Sequence, residues 1–232
     1  MKKFLLMFAA AAMSVSMASA TTLFGTPVSI ASLDGETLQI GDKLFSNFAV
    51  SCTFIGTNTC GDETSVKVQG IQEGDHFGVR FTGPFVALEN IVDYVISFNV
   101  TVLDPNLYIS AIGARFNGEY IGAGTTEIVE DAFDGVQVGK LKVTNPPEVL
   151  TATFGLVNPY PGGSQHLAKS LFVQKDMLLT AIGGDGLDKA TVSIVDQWFV
   201  QTGEDNQVPE PGTYALMGAG LIGLAFLRRR KA

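Results

Sequence analysis

Two histidines are the first place to look for chemistry. His76 stands in Gly74-Asp75-His76-Phe77, at a predicted turn entering a strand, and His166 follows Gly162-Gly163-Ser164-Gln165. Ser164 lies two residues from His166, but the Gly-x-Ser-x-Gly elbow that would aim a nucleophile is missing. Two histidines without ligand spacing also fall short of a metallohydrolase site. Carboxylates come next: Glu127, Glu130, Asp131 and Asp134 fall within eight residues. A glycosidase needs two carboxyls at a set separation in space. Clustering along the chain does not supply that, and such a run reads as a solvated acidic loop. Asp185 and Asp188 beside Gly183, Gly184 and Gly186 offer hard oxygen ligands for Ca²⁺. They lack the alternating acids and closing Glu of a complete calcium loop, so an ordinary Asp/Gly turn is the competing reading. Gly113, Gly118, Gly122 and Gly124 have no Gly-Lys-Ser/Thr continuation and cradle no phosphate. Among the rings, Tyr160 between Pro159 and Pro161 is the best candidate for an exposed sugar-stacking surface. Trp198, the sole tryptophan, is the second such candidate, and its apolar neighbours favour a core position. Nothing in these residues calls for a cofactor.

The elements that would position these groups have a period of two. Tyr94, Ile96, Phe98, Val100 and Val102 alternate with Val95, Ser97, Asn99 and Thr101. Phe77, Val79 and Phe81 alternate with Gly78 and Arg80, and Val192 and Ile194 flank Ser193. This is the pattern of half-buried strands rich in β-branched and aromatic residues. Asp34-Gly35, Gly41-Asp42, Gly61-Asp62, Gly74-Asp75, Asp104-Pro105, Asp134-Gly135 and Asn145-Pro146-Pro147 punctuate the runs as turns. The 26 glycines among 232 residues suit turn-rich β-structure better than a helix bundle. The prediction is an all-β chain of about ten or eleven strands forming an antiparallel two-sheet β-sandwich. Leu167 to Leu179, the one ambiguous stretch, is read as strand, and no internal repeat is visible.

Both ends carry addresses. Lys2 and Lys3, an apolar run from Phe4 to Ala12 and the small residues Ala18-Ser19-Ala20 stand in the order of a secretory signal, cut after Ala20 by signal peptidase. At the other end, Thr213 to Leu227 is uncharged and apolar, and Arg228, Arg229, Arg230 and Lys231 follow at once. Those residues span only ~22 Å as a helix, short for a bilayer. They read as a short C-terminal transmembrane helix with a stop-transfer cluster on the cytoplasmic side, holding the chain at the membrane before processing. The organisation predicted is residues 1–20 signal peptide, 21–202 β-sandwich domain, 203–207 polar spacer and 208–232 sorting and anchor segment.

Export makes the two cysteines an even pair in an oxidising compartment. Cys52 and Cys60 close a short loop containing Gly56 and Asn58, and the reading is a disulfide contributing about 2 to 3 kcal/mol. Residues 1–20 and 212–232 hold six of the 15 basic residues and none of the 23 acids, so their removal leaves a domain near −14. A charge of that sign argues against nucleic acid as a partner and favours a soluble surface.

Val208-Pro209-Glu210-Pro211, then the apolar stretch, then the basic cluster, resembles the tail of the PEP-CTERM proteins, a family of exported bacterial proteins. Two prolines keep the segment extended and lacking backbone donors, a form that a processing cleft can grip. The resemblance implies that Pro209, Glu210 and Pro211 are recognised in trans by an exosortase-like membrane enzyme. It also implies a cell-envelope, cell-surface or extracellular-matrix destination and an association with exopolysaccharide. The expectation is a non-catalytic surface or matrix protein. The alternatives are a carbohydrate-binding module and a secreted hydrolase.

Overall fold

The computed structural model describes residues 21–56, 59–159, 163–184 and 186–203. The proposed signal peptide, most of the polar spacer, and the tail with Pro209, Glu210, Pro211, Arg228, Arg229, Arg230 and Lys231 lie outside the described residues, as do Tyr160 and Asp185. The described residues form thirteen strands: β1 Thr21–Ser29, β2 Thr37–Ile40, β3 Lys43–Ile55, β4 Lys67–Glu73, β5 His76–Thr82, β6 Phe85–Leu88, β7 Ile91–Val102, β8 Leu107–Ile121, β9 Thr125–Asp134, β10 Val136–Asn145, β11 Thr151–Gly155, β12 Ser170–Thr180 and β13 Lys189–Gly203. Short 3-10 turns at Ile30–Leu33 and Glu63–Ser65 are the helical elements among these residues, so none is long enough to cross a membrane.

The strands build two antiparallel sheets that face one another. Sheet A runs β1-β4-β5-β13-β8-β11, with β6 extending the β5 side of β13, and sheet B runs β10-β9-β12-β7-β3-β2. This is the two-sheet sandwich that the alternation predicts, with more strands than the sequence count suggested. The extra ones are short pieces such as β2 and β6, too brief to show a period. The ambiguous stretch is strand β12.

The core follows from the alternation. On β7 every second residue from Val92 to Val102 is buried, and the residues between are half exposed. Phe45, Phe48, Phe81, Phe98 and Phe199 meet between the sheets with ring centroids 5.6–6.5 Å apart. A bulge in β3 makes this possible. Asn47 and Phe48 oppose the single residue Phe98, and Asn47 takes a φ of 53°. The extra residue turns Phe48 inward beside Phe45 instead of leaving it on the outer face. Tyr94 is fully buried, and its hydroxyl accepts from Gly61 N at 2.9 Å and donates to Pro84 O at 3.3 Å.

Candidate functional site

The groups singled out in the sequence do not converge. His166 Nε2 pairs with Asp134 Oδ2 at 2.9 Å, whereas the neighbouring hydrogen bond at Ser164 runs from Asn158 N to its carbonyl. His76 lies beside Asp75 at 3.6 Å on the opposite sheet. The acidic run is not a solvated loop. It is strand β9, and the pleat sends Glu127 and Asp131 outward and Glu130 into the core. Asp188 is buried at 2% exposure; its Oδ1 accepts from Ala123 N at 2.8 Å, and its Oδ2 has no hydrogen-bond partner among the described residues. No group of three or more metal-ligating side chains occurs among the described residues. Cys52 and Cys60 form a disulfide.

Trp198 is 6% exposed, the buried position that its apolar neighbours favour, and so offers no open ring for a sugar to stack on. It sits on the outer face of sheet A, between Gly78 on β5 and Gly113 on β8. A methyl group on Gly113 would lie 2.2 Å from the indole, so the ring rests flat where no side chain intervenes. Beside it, Asp196 is 1% exposed and accepts two bonds from Arg80, at 2.6 and 2.9 Å, and one from Arg115 at 2.7 Å. Arg115 also reaches Glu73 at 3.2 Å. The register puts Glu73 two rows from Arg115, so this bridge passes over the row that holds Trp198. Burial works against the Arg115 charge, but Asp196 and then Glu73 hold its pKa above the ordinary value. The sequence hides this because the four charges come from β4, β5, β8 and β13.

The outer face of sheet B is the open one. Cross-strand register lines up Gln137, Phe133, Phe172, Asn99 and Ser46 in one row, and Lys140, Asp131, Gln174, Ser97 and Ala49 in the next. Phe133 and Phe172 lie 6.0 Å apart, and Phe172 is 42% exposed. Gln137 donates to Asp131, and Lys140 approaches the same carboxylate at 3.6 Å. A ring pair flanked by amides and carboxylates can stack on the apolar face of a sugar and bind its hydroxyls. Further along the face Asp93 on β7 meets Asp176 on β12. Burial, a shared hydrogen bond and the Asp176 charge raise the Asp93 pKa from 3.8 to about 6.

The tail decides the chain's destination. Residues 207–231 match the family model of the PEP-CTERM protein-sorting motif. The chain carries a PEP-CTERM sorting tail. Such a tail implies an exported protein, sorted to the cell envelope or surface and processed by an exosortase. No curated protein matches this chain. Among solved structures, the enzymatically active domain of tailspike protein 4 from Bacteriophage CBA120 is similar at 12% identity, over 67% of this chain and 20% of that one, with a TM-score of 0.28. The chain thus spans a fifth of that protein's length. A family 11 carbohydrate-binding module from Clostridium thermocellum, in complex with a β-1,3-1,4-mixed-linked tetrasaccharide, is similar at 14% identity over 78% of this chain and 96% of that one, with a TM-score of 0.19. Neither superposition is close enough to carry a function across.

Proposed function

We propose that this chain is a non-catalytic β-sandwich displayed at the cell surface or released into the extracellular matrix, in association with exopolysaccharide. The observation that carries the reading is the sorting motif over residues 207–231. Support also comes from the acidic balance of the domain, which keeps it soluble outside the cell, and from the scatter of its histidines and carboxylates over separate faces. The test is mass spectrometry of the protein recovered outside cells that process other such tails. The expected chain lacks the Arg228–Lys231 cluster. A chain still ending at Ala232 refutes the sorting assignment.

A carbohydrate-binding role is the second reading, and the observation favouring it is the pair of exposed Phe172 and half-buried Phe133 among amides on sheet B. Glycan-array binding lost in Phe172→Ala, with circular dichroism unchanged, supports it. Unchanged binding in that variant removes the face from consideration. Turnover of a polysaccharide or ester panel, abolished by Asp93→Asn or His166→Ala, would overturn both readings in favour of a hydrolase.

A further inference from the structure

The centre of the core holds three polar side chains that none of these readings uses. Lys175 projects inward from β12, Glu130 is its register partner on β9, and Gln197 faces them from β13 on the opposite sheet. All three are 0% exposed. Along their own strands they are flanked by buried Val173, Met177, Ile128, Ala132, Val195 and Phe199. Lys175 Nζ contacts Glu130 Oε2 and donates to Gln197 Oε1 at 2.9 Å. Glu130 Oε1 has no hydrogen-bond partner among the described residues. An amine, a carboxyl and a carboxamide thus touch one another in a dry site.

As an ion pair this arrangement is expensive. Two charges are taken out of water, and one carboxylate oxygen is left unsatisfied. Burial pushes the Glu130 pKa up, and Lys175 and then Gln197 pull the other way. The same geometry is that of a reaction. The nucleophile lies within hydrogen-bond reach of the acceptor amide, a carboxyl sits against both, and water that would compete for the carbonyl is excluded.

We propose that Lys175 and Gln197 form an intramolecular amide cross-link, with Glu130 as the group that moves the protons. Nζ bonds to Cδ of Gln197, the Cδ–Nε2 bond breaks, and ammonia leaves. Starting from the ion pair, the ammonium gives up two protons. One goes to the departing nitrogen through Glu130, and the other stays on Glu130. The products are a neutral secondary amide, a neutral carboxylic acid and ammonia, so atoms and charge balance with no oxidant or cofactor. The link removes both buried charges and ties sheet A to sheet B. Strand β13 ends at Gly203, close to the sorting motif that begins at residue 207. A pull on the chain through its tail would therefore load a covalent bond instead of hydrogen bonds alone. The inference is independent of whether the outer faces bind a glycan.

The experiment is peptide mapping by tandem mass spectrometry on the full-length wild-type chain, purified, reduced, denatured and digested. The expected result is a pair of peptides joined between Lys175 and Gln197, lighter than their sum by one ammonia, with trypsin unable to cut after Lys175. Wild-type peptides of full sequence mass, cut normally at Lys175, overturn the proposal. Loss of one water with Lys175 joined to Glu130 overturns the assignment of Gln197 as acceptor. Glu130→Gln keeps both reacting groups and removes the proton carrier. It is expected to yield the unlinked peptides, and cross-linking at the wild-type extent in that variant overturns the role of Glu130. Because the wild-type map alone decides whether the bond exists, a variant that fails to fold does not shield the proposal.

Discussion

Replacing Asp93 by Asn should make the protein more stable at neutral pH. Asp93 is half-buried on the outer face of sheet B, one of its oxygens has no hydrogen-bond partner among the described residues, and Asp176 faces it from β12. Glu127, the next acid on that face, is already paired with Lys142 at 2.6 Å. Burial first, and then Asp176, raise the Asp93 pKa from 3.8 to about 6. A carboxyl raised on folding binds its proton more tightly in the folded chain. Its stabilising contribution is therefore present below about pH 4 and is lost as pH climbs past about 6. In a dry site that interval corresponds to roughly 3 kcal/mol. Partial exposure screens the charges and brings the expected gain for Asp93→Asn to about 1 kcal/mol. In a domain of this size that raises Tm by about 2 to 4 °C. Urea unfolding of wild type and variant across this pH range measures the effect as a difference in midpoints at constant slope. The two curves should converge below about pH 4, draw apart as pH rises to about 6 and stay apart above it. Asp176→Asn should give a similar gain, and the double variant less than the sum. A variant destabilised at neutral pH, or a difference that does not depend on pH, refutes the reasoning.

Gly113→Ala should cost about 1 to 3 kcal/mol, because the new methyl would lie 2.2 Å from the Trp198 indole. With a single tryptophan in the chain, the displaced ring should report itself as a red-shifted emission. Replacing both Cys52 and Cys60 by Ser, which opens a loop of sequence separation 8, should lower stability by about 2 to 3 kcal/mol in denaturant titrations. Thiol titration of the native protein should find no free cysteine until it is reduced. Asp196→Asn should cost about 3 kcal/mol, since it strips the counter-charge from Arg80 and half of that from Arg115. Added salt should do little to the wild-type interaction, because Asp196 is buried.

Much of the fold was legible in the chain. Alternation over Tyr94–Val102 marks a strand with one buried face, and the Cys52–Cys60 bracket marks a disulfide, because both signals are local. The sorting tail is local too: proline pair, apolar stretch and cationic cluster occupy one continuous segment. The core trio was partly legible. In β12 the inward row runs Leu171, Val173, Lys175, Met177, Leu179, so counting by twos lands a lysine among apolar residues. The same count on β9 puts Glu130 between Ile128 and Ala132. What misled was composition: four acids close together look solvated until the pleat assigns them to opposite faces.

Other features existed only once the strands were paired. Asp93 and Asp176 lie far apart in sequence and meet because β7 and β12 pair in one register; a slip of one residue would send each to the other face. Trp198 was ambiguous because its burial depends on two glycines brought beside it from β5 and β8. The sequence by itself determined which segments extend, which face of each is apolar, and where the chain is sent. The tertiary structure alone decided which polar groups become neighbours. Period and turn chemistry are properties of adjacent residues, whereas strand order and register are settled by burial across the whole sandwich.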